Sequence, residues 1–243
     1  MRNMQQLLQL IIDNKDRKKN LRAEQADSGN VLYLYDIIDP WFGVTATDMA
    51  HAMETFGGAD FEMRINSPGG DVFEGRAIQT RLKQYPGNIH VMIDGLAASA
   101  ATTVALGGKT RTMAAGAFFM VHNSWTLAFG NRHDVRKTGD LLEQIDDAIG
   151  ADYAAATGKE RDQIVQWMDD ETWFSATDAK ANGFIQDIYT GDDAQAAKNR
   201  NAWNLSAYKN VPKALTEQPT PEPPQPDRAH MARYLDMLEL GVS

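Results

Sequence analysis

The sequence predicts an α/β domain with a largely parallel sheet. Two observations carry that expectation: short β-forming runs alternate with segments of helical periodicity, and Gly, Pro or Asp turn signals separate them. A third is the scale of the chain. Its 243 residues, 43% hydrophobic and 23% charged, suffice for one large core.

The elements follow in order. Met4, Leu7, Leu8 and Ile11 stand at i, i+3, i+4 and i+7, predicting an amphipathic N-terminal helix. Residues 13–30 read as a charged loop, and Val31 to Tyr35 as a strand. Thr45 to Thr55 reads as a helix capped near Thr45 or Thr47, and Phe61 to Asn66 as a strand ended by Ser67-Pro68-Gly69-Gly70. A helix over Asp71 to Gln84 and a strand over Ile89 to Ile93 follow, with Asp94-Gly95 as a turn. Leu96 to Leu106 reads as a small-residue helix, and Phe118 to His122 as a strand. Val135 to Thr157 is a long helix closed by Gly158, and Lys159 to Met168 a shorter one. Trp173-Phe174 is a brief strand, Ser175 with Asp178 opens a helix ended by Gly183, and Phe184 to Tyr189 is the last strand. Four regions result: 1–29, an N-terminal helix and loop; 30–190, the main domain; 191–226, a Pro-rich extended linker; and 227–243, a C-terminal helix with Met231, Tyr234, Leu235 and Leu238 on one stripe.

Composition excludes several chemistries. Cysteine is absent, so disulfides, thiolate metal sites and cysteine nucleophiles are out. Residues 26–190 carry 12 cations against 23 anions, which argues against nucleic-acid binding. The apolar run Leu7 to Ile12 is too short, and too early relative to the basic cluster, for a secretion signal. No run approaches the length of a bilayer span.

Four features could do chemistry. Ser99 lies near a helix start between residues with almost no side chain, where a hydroxyl is reachable and first-turn amides face outward. Taken alone, that segment reads more simply as an Ala/Ser helix packed closely on the sheet. The loop Ser67-Pro68-Gly69-Gly70 lets the backbone approach a ligand without a Cβ; an ordinary turn is the alternative. His122 follows an apolar strand, where α/β sites gather, and imidazole suits a general base near neutral pH. Asp169-Asp170-Glu171 could orient that imidazole, or be a solvated helix end. Glycine loop, serine, histidine and acid occur in that order.

Taken together, Ile65 to Val72, Asp94 to Ala100, Met120 to Asn123, Glu171 to Ala176, Asp178-Ala179 and Gly183-Phe184 resemble the Clp protease proteolytic subunit (ClpP) family of serine peptidases. Pro40-Trp41-Phe42-Gly43 and His122-Asn123-Ser124-Trp125 resemble its phage head maturation subset. The resemblance covers about residues 30–190. It implies a ClpP/crotonase-like fold of stacked ββα units, with Val135 to Thr157 as the helix through which rings stack. It implies Ser99 as nucleophile, His122 as base, Gly70 and Ala100 as oxyanion donors, and Ser67, Pro68 and Gly69 as substrate-binding backbone. The family's acid is an aspartate two residues before the aromatic of the next strand. Here Glu171 takes that place, with Asp170 as the fallback. The implied activity is endopeptidase action on phage scaffold, capsid or portal proteins by a homo-oligomeric, heptameric ring. No cofactor, metal, nucleic acid or membrane is implied, and the setting is the host cytoplasm or the phage prohead. The rival expectations are an inactive ring component of head assembly, a crotonase-like acyl-CoA enzyme, and a Ser–Lys dyad using Lys109.

Overall fold

The computed structural model describes residues 19–26, 29–191, 203 and 205–216. The N-terminal helix expected at Met4 to Ile12 and the C-terminal helix expected over 227–243 lie outside them.

The expected α/β architecture is present. Among the described residues eight strands form one sheet: β1 (Leu21–Ala26), β2 (Gly29–Leu34), β3 (Phe61–Ser67), β4 (Ile89–Ala98), β5 (Thr110–Ala114), β6 (Phe118–Val121), β7 (Thr172–Ser175) and β8 (Asp187–Tyr189). The path is β1-β2-β3-β4-β5-β8, with β6 on β4 and β7 on β6. Pairing is parallel throughout except β1/β2 and β6/β7. The helices are α1 (Ala46–Glu54), α2 (Val72–Gln84), α3 (Ala100–Ala105), α4 (Arg132–Thr157), α5 (Arg161–Asp169) and α6 (Ala176–Ala181). Residues 212–216 belong to a separate compact unit, in which Lys213–Thr216 forms a single helical turn, α7.

Strand β4 organises the sheet. Nine of its ten residues are buried, so it reads as a continuous apolar run. Its first half pairs with β5, from His90↔Thr110 to Ile93↔Met113. Its second half pairs with β6, from Leu96↔Phe118 to Ala98↔Met120. The change of partner falls at Asp94-Gly95. That dipeptide does not turn the chain, as the sequence suggests; the strand runs on, and the helix expected from Leu96 begins only at Ala100. Gly95 fits closely here: a Cβ would stand 3.0 Å from Asn66 Oδ1, at the irregularity in β3 between Ile65 and Ser67. Asp94 is buried and bound by Tyr35 and Arg64, which tie β2 and β3 to β4. Burial pushes its carboxyl up, while the bonds to Arg64 and Tyr35 pull it back down.

Other differences have local causes. The loop expected over 13–30 contains β1, whose pairing with β2 gives this polar segment its hydrogen bonds. Strand β5 alternates with polar residues and presents no apolar run in the sequence; β4 and β8 hold it from either side. The last strand is only Asp187–Tyr189. Part of the linker expected over 191–226 is packed on the body: Leu205 and Ala207 are buried, which an extended polar linker does not require.

Capping fixes the helix starts. Thr45 with Asp48, and Asn131 with Asp134, form capping boxes, and Gly158 closes α4 in the left-handed region at φ 68°. Helices α2 and α3 approach closely at Gly75, where a Cβ would meet the Ala100 Cβ at 3.0 Å. Behind β6 and β7, Phe184 is fully buried against Phe119 (ring centroids 4.8 Å apart), Phe174 (5.0 Å), Tyr153 and Trp167. This cluster joins α4 and α5 to the strands that lead into the site. Phe184→Ala should lower the unfolding free energy by about 3–5 kcal/mol, because the rigid surroundings cannot fill the void. Urea denaturation followed by tryptophan fluorescence measures it.

Candidate active site

Three parallel strands end side by side, and their registers assemble the site. Ala98 of β4 faces Met120 of β6. Ser99 is the next residue in one chain segment, and His122 lies two beyond Met120 in the other. The Ser99 amide donates to the Met120 carbonyl (3.0 Å), which locks the two ends together. The side chains meet there, with Ser99 Oγ 2.8 Å from His122 Nε2. Imidazole Nε2 in its neutral form accepts the serine proton at this distance.

Ser99 has φ 55° and ψ −127°, between strand β4 and helix α3. A non-glycine residue at positive φ is strained. Here the strain turns the chain sharply from strand to helix, so the hydroxyl projects at the bend while Ala98 and Ala100 remain buried. The Ala100 amide lies in the first turn of α3, where helical amides lack an intrahelical acceptor.

The glycine loop closes the other side. Ser67 of β3 pairs with Ala97 of β4, so the loop that follows runs beside Ser99. Ser67 Oγ accepts from the Gly69 amide (3.1 Å). Gly69 has φ 89°, and a Cβ on it would stand 2.8 Å from the Ser99 Cβ and 2.9 Å from the Ala100 nitrogen. Gly70 has φ 146°, and a Cβ there would stand 2.0 Å from the Ile38 carbonyl oxygen. Ile38 brackets the loop by accepting from the Asp71 amide (2.7 Å) and donating to the Gly69 carbonyl (2.9 Å). Both glycines are therefore required by space as well as by conformation.

Antiparallel β7 brings the acids. Val121 pairs with Thr172, and the register continued by one residue sets Glu171 across from His122. Both residues are buried, and Glu171 has φ 51°. Its Oε1 accepts from the amides of Lys209 and Asn210 (the latter at 2.8 Å) and from the Trp173 indole (3.4 Å). Asp170 is exposed, and its carboxylate accepts from Gln166 (2.6 Å). Asp169 holds the Asn123 side chain (2.7 Å), and Asp146 of α4 accepts from the Ser124 amide (2.6 Å). These bonds fix the strand exit after His122. Burial pushes the Asp146 carboxyl up, against the bonds from Ser124. Lys109 lies at the far end of β4, donating to Asn88 (2.7 Å) with its amide on the Ile89 carbonyl, so it is no base for Ser99.

Ser99 and His122 open into a cleft of about 550 Å³. Phe42, Val72, Trp125, Leu127, Leu142 and Ile145 give it a mostly apolar lining. Tyr208 and Ala207 form part of its wall. Sequence reasoning missed both. The available signal was Trp203 and Tyr208, two aromatic residues in an otherwise polar stretch. Among the described residues no group of three or more acids and histidines could hold a metal ion, and no helix is long and apolar enough to cross a membrane.

Known proteins resemble this chain in sequence and fold. The sequence model of the Clp protease family matches residues 47–192. ATP-dependent Clp protease proteolytic subunit 3 of Rhodococcus jostii is 30% identical over 131 residues, spanning 53% of this chain and 65% of that protein. Proteolytic subunit 1 of Streptomyces avermitilis is 29% identical over 150 residues, spanning 60% and 69%. The solved structure of a ClpP1 point mutant from Listeria monocytogenes superposes with a TM-score of 0.59 at 22% identity, covering 78% of this chain and 99% of that one. That likeness establishes a ClpP-like fold. The alignment with the Rhodococcus relative spans just under two thirds of that protein's length. With the family match covering more than half of this chain's length, the chain belongs to the Clp protease family.

Proposed function

We propose that this protein is a serine endopeptidase in which Ser99 is the nucleophile and His122 the general base. The observation that carries the reading is the 2.8 Å contact between Ser99 Oγ and His122 Nε2 beside the glycine loop. An extended peptide lies along Ser67 to Gly70. Ser99 Oγ attacks the scissile carbonyl carbon as its proton passes to His122 Nε2. The oxyanion takes hydrogen bonds from the Gly70 and Ala100 amides. His122 then protonates the departing amine, leaving an acyl-enzyme. Water, deprotonated by the same imidazole, hydrolyses the ester and returns the proton to Ser99. Glu171, opposite His122 in the strand register, is the acid that favours the imidazolium. Asp170 faces Gln166 and is the weaker candidate. The chemistry proposed uses no cofactor.

The substrates proposed are phage scaffold, capsid or portal proteins, cleaved in the host cytoplasm or the prohead. The sequence resemblance at Pro40 to Gly43 and His122 to Trp125 supports that choice. The catalytic unit proposed is a heptameric ring. Helix α4, about 39 Å long, supports it: Val135 and Leu141 are exposed, and its buried residues are confined to Ile149 and Tyr153. Native mass spectrometry should show a multimer of seven chains, and a monomer under the same conditions would refute the ring.

A fluorophosphonate probe should label Ser99, and both Ser99→Ala and His122→Ala should abolish labelling. Turnover of a co-expressed scaffold or capsid substrate should fall on the order of 10⁴-fold. Undiminished cleavage by Ser99→Ala refutes the nucleophile. Absence of labelling in the assembled protein favours an inactive ring component, and thioester binding favours an acyl-CoA enzyme. Gly70→Ala should reduce the labelling rate on the order of 10²-fold, since its Cβ would collide with the Ile38 carbonyl and displace the amide. An unchanged rate would remove Gly70 from the oxyanion site.

A further inference from the structure

A segment beyond the 47–192 family match packs against the site. Its residues reach the base, the glycine loop and the acids. The Tyr208 ring meets the His122 imidazole edge to face, with centroids 5.5 Å apart and planes at 79°. On another side it meets Trp173 of β7 at 5.8 Å and 81°. Its hydroxyl donates to the Pro68 carbonyl in the glycine loop. The next two amides, Lys209 and Asn210, donate to Glu171, and the Asn210 side chain donates to the Asp170 carbonyl (2.7 Å). Upstream, the Trp203 indole donates to Asn66 Oδ1 (3.4 Å), one residue before the loop begins. Leu205 and Ala207 are buried between these anchors.

We infer that Tyr208 is a positioning residue that couples the His122 imidazole to the Ser67–Gly70 loop. The inference rests on the serine peptidase reading above. Each half of that machinery hangs from a different strand end, β6 for the base and β3 for the loop. Neither strand pairs with the other; both pair with β4. Sheet hydrogen bonds therefore fix the two only through an intermediary, and only up to the last paired residue. Tyr208 spans them directly. Its ring limits how far the imidazole can swing about its side-chain bonds, and edge-to-face packing sets a preferred orientation. Its hydroxyl fixes the carbonyl immediately before Gly69 and so the direction in which the next amides point. A displacement of about 1 Å in a reacting group suffices to lower a rate by about 10²-fold. The Ser99–His122 hydrogen bond is intact with the segment in place, so the segment acts as a brace for the base.

The two contacts can be separated by substitution. The full-length chain and its Tyr208→Ala and Tyr208→Phe variants are titrated with a small alkyl fluorophosphonate and with an extended peptidyl diphenyl phosphonate. Thermal melting is recorded alongside. Tyr208→Phe keeps the ring against His122 and loses the Pro68 bond. It should lower the maximal inactivation rate and weaken the saturation constant for the peptidyl probe, each several-fold and at unchanged melting temperature, because the loop that pairs with peptide and carries the Gly70 amide is loosened. Tyr208→Ala loses both contacts and should lower the maximal rate with either probe by about tenfold or more. If Tyr208→Ala does not fold, the losses shown by Tyr208→Phe at unchanged melting temperature decide. Rates within about twofold of the unsubstituted chain for Tyr208→Ala overturn the inference. A faster rate also overturns it, and makes the segment an inhibitory cover. Parallel loss of rate and melting temperature in both variants overturns it too, reducing Tyr208 to a support of the fold. Failure of the unsubstituted chain to label at Ser99 overturns the parent reading as well, and so distinguishes the two.

Discussion

The parallel register of β4 on β6 is the constraint on which the site depends. Ser99 and His122 are 23 positions apart in sequence, and nothing local brings them together. Pairing of Ala98 with Met120, extended by the bond from the Ser99 amide to the Met120 carbonyl, leaves one place for the two side chains to meet. A slip by one residue would send one of them to the opposite face of the sheet, since side chains alternate along a strand. The register is held in turn by burial. Leu96, Ala97 and Ala98 on β4, and Phe119, Met120 and Val121 on β6, are all buried on both faces, so a shifted pairing would force side chains of different size into close-packed positions.

That constraint explains what the sequence shows clearly and what it hides. The chemistry-bearing residues stand where strand-end logic puts them: the glycine loop after β3, Ser99 after β4 and His122 after β6. Their residue types are unusual enough to be seen. Asp94-Gly95 misleads because the same dipeptide that makes a turn in a hairpin here permits a strand to change neighbours. The distinguishing fact is the Asn66 side chain against Gly95, a long-range contact with no local signature. Strand β1 is hidden for another reason. Five of its six residues are exposed, so no apolar alternation marks it, and its hydrogen bonds to β2 hold it at the sheet edge.

The segment that carries Trp203 and Tyr208 is obscured by its company. Polar, alanine-rich and proline-rich stretches surround it, and composition averages over a window. Its stability comes from a few anchors: Leu205 and Ala207 in the buried interior, and the Tyr208 ring between His122 and Trp173. Ordering such a segment costs about 1–2 kcal/mol of backbone entropy per residue. Scattered anchors offset that cost only where the surface beneath is already built, and no pattern in the segment itself reports that surface.

Glu171 shows how the segment and strand β7 share one problem. The residue is buried and its backbone lies in the left-handed region. A buried carboxylate without donors is costly, and each bond from an amide lowers that cost. The Lys209 and Asn210 amides and the Trp173 indole supply three donors to one oxygen. Glutamate is one methylene longer than aspartate, so at the same strand position its oxygens reach farther from the backbone. The two amides lie on the segment beyond the sheet, outside the reach of the β6/β7 ladder. A longer acid and an added segment therefore belong together: the amides stabilise the carboxylate from a side that the strand pair does not reach, and the carboxylate holds the segment that carries Tyr208 against the imidazole.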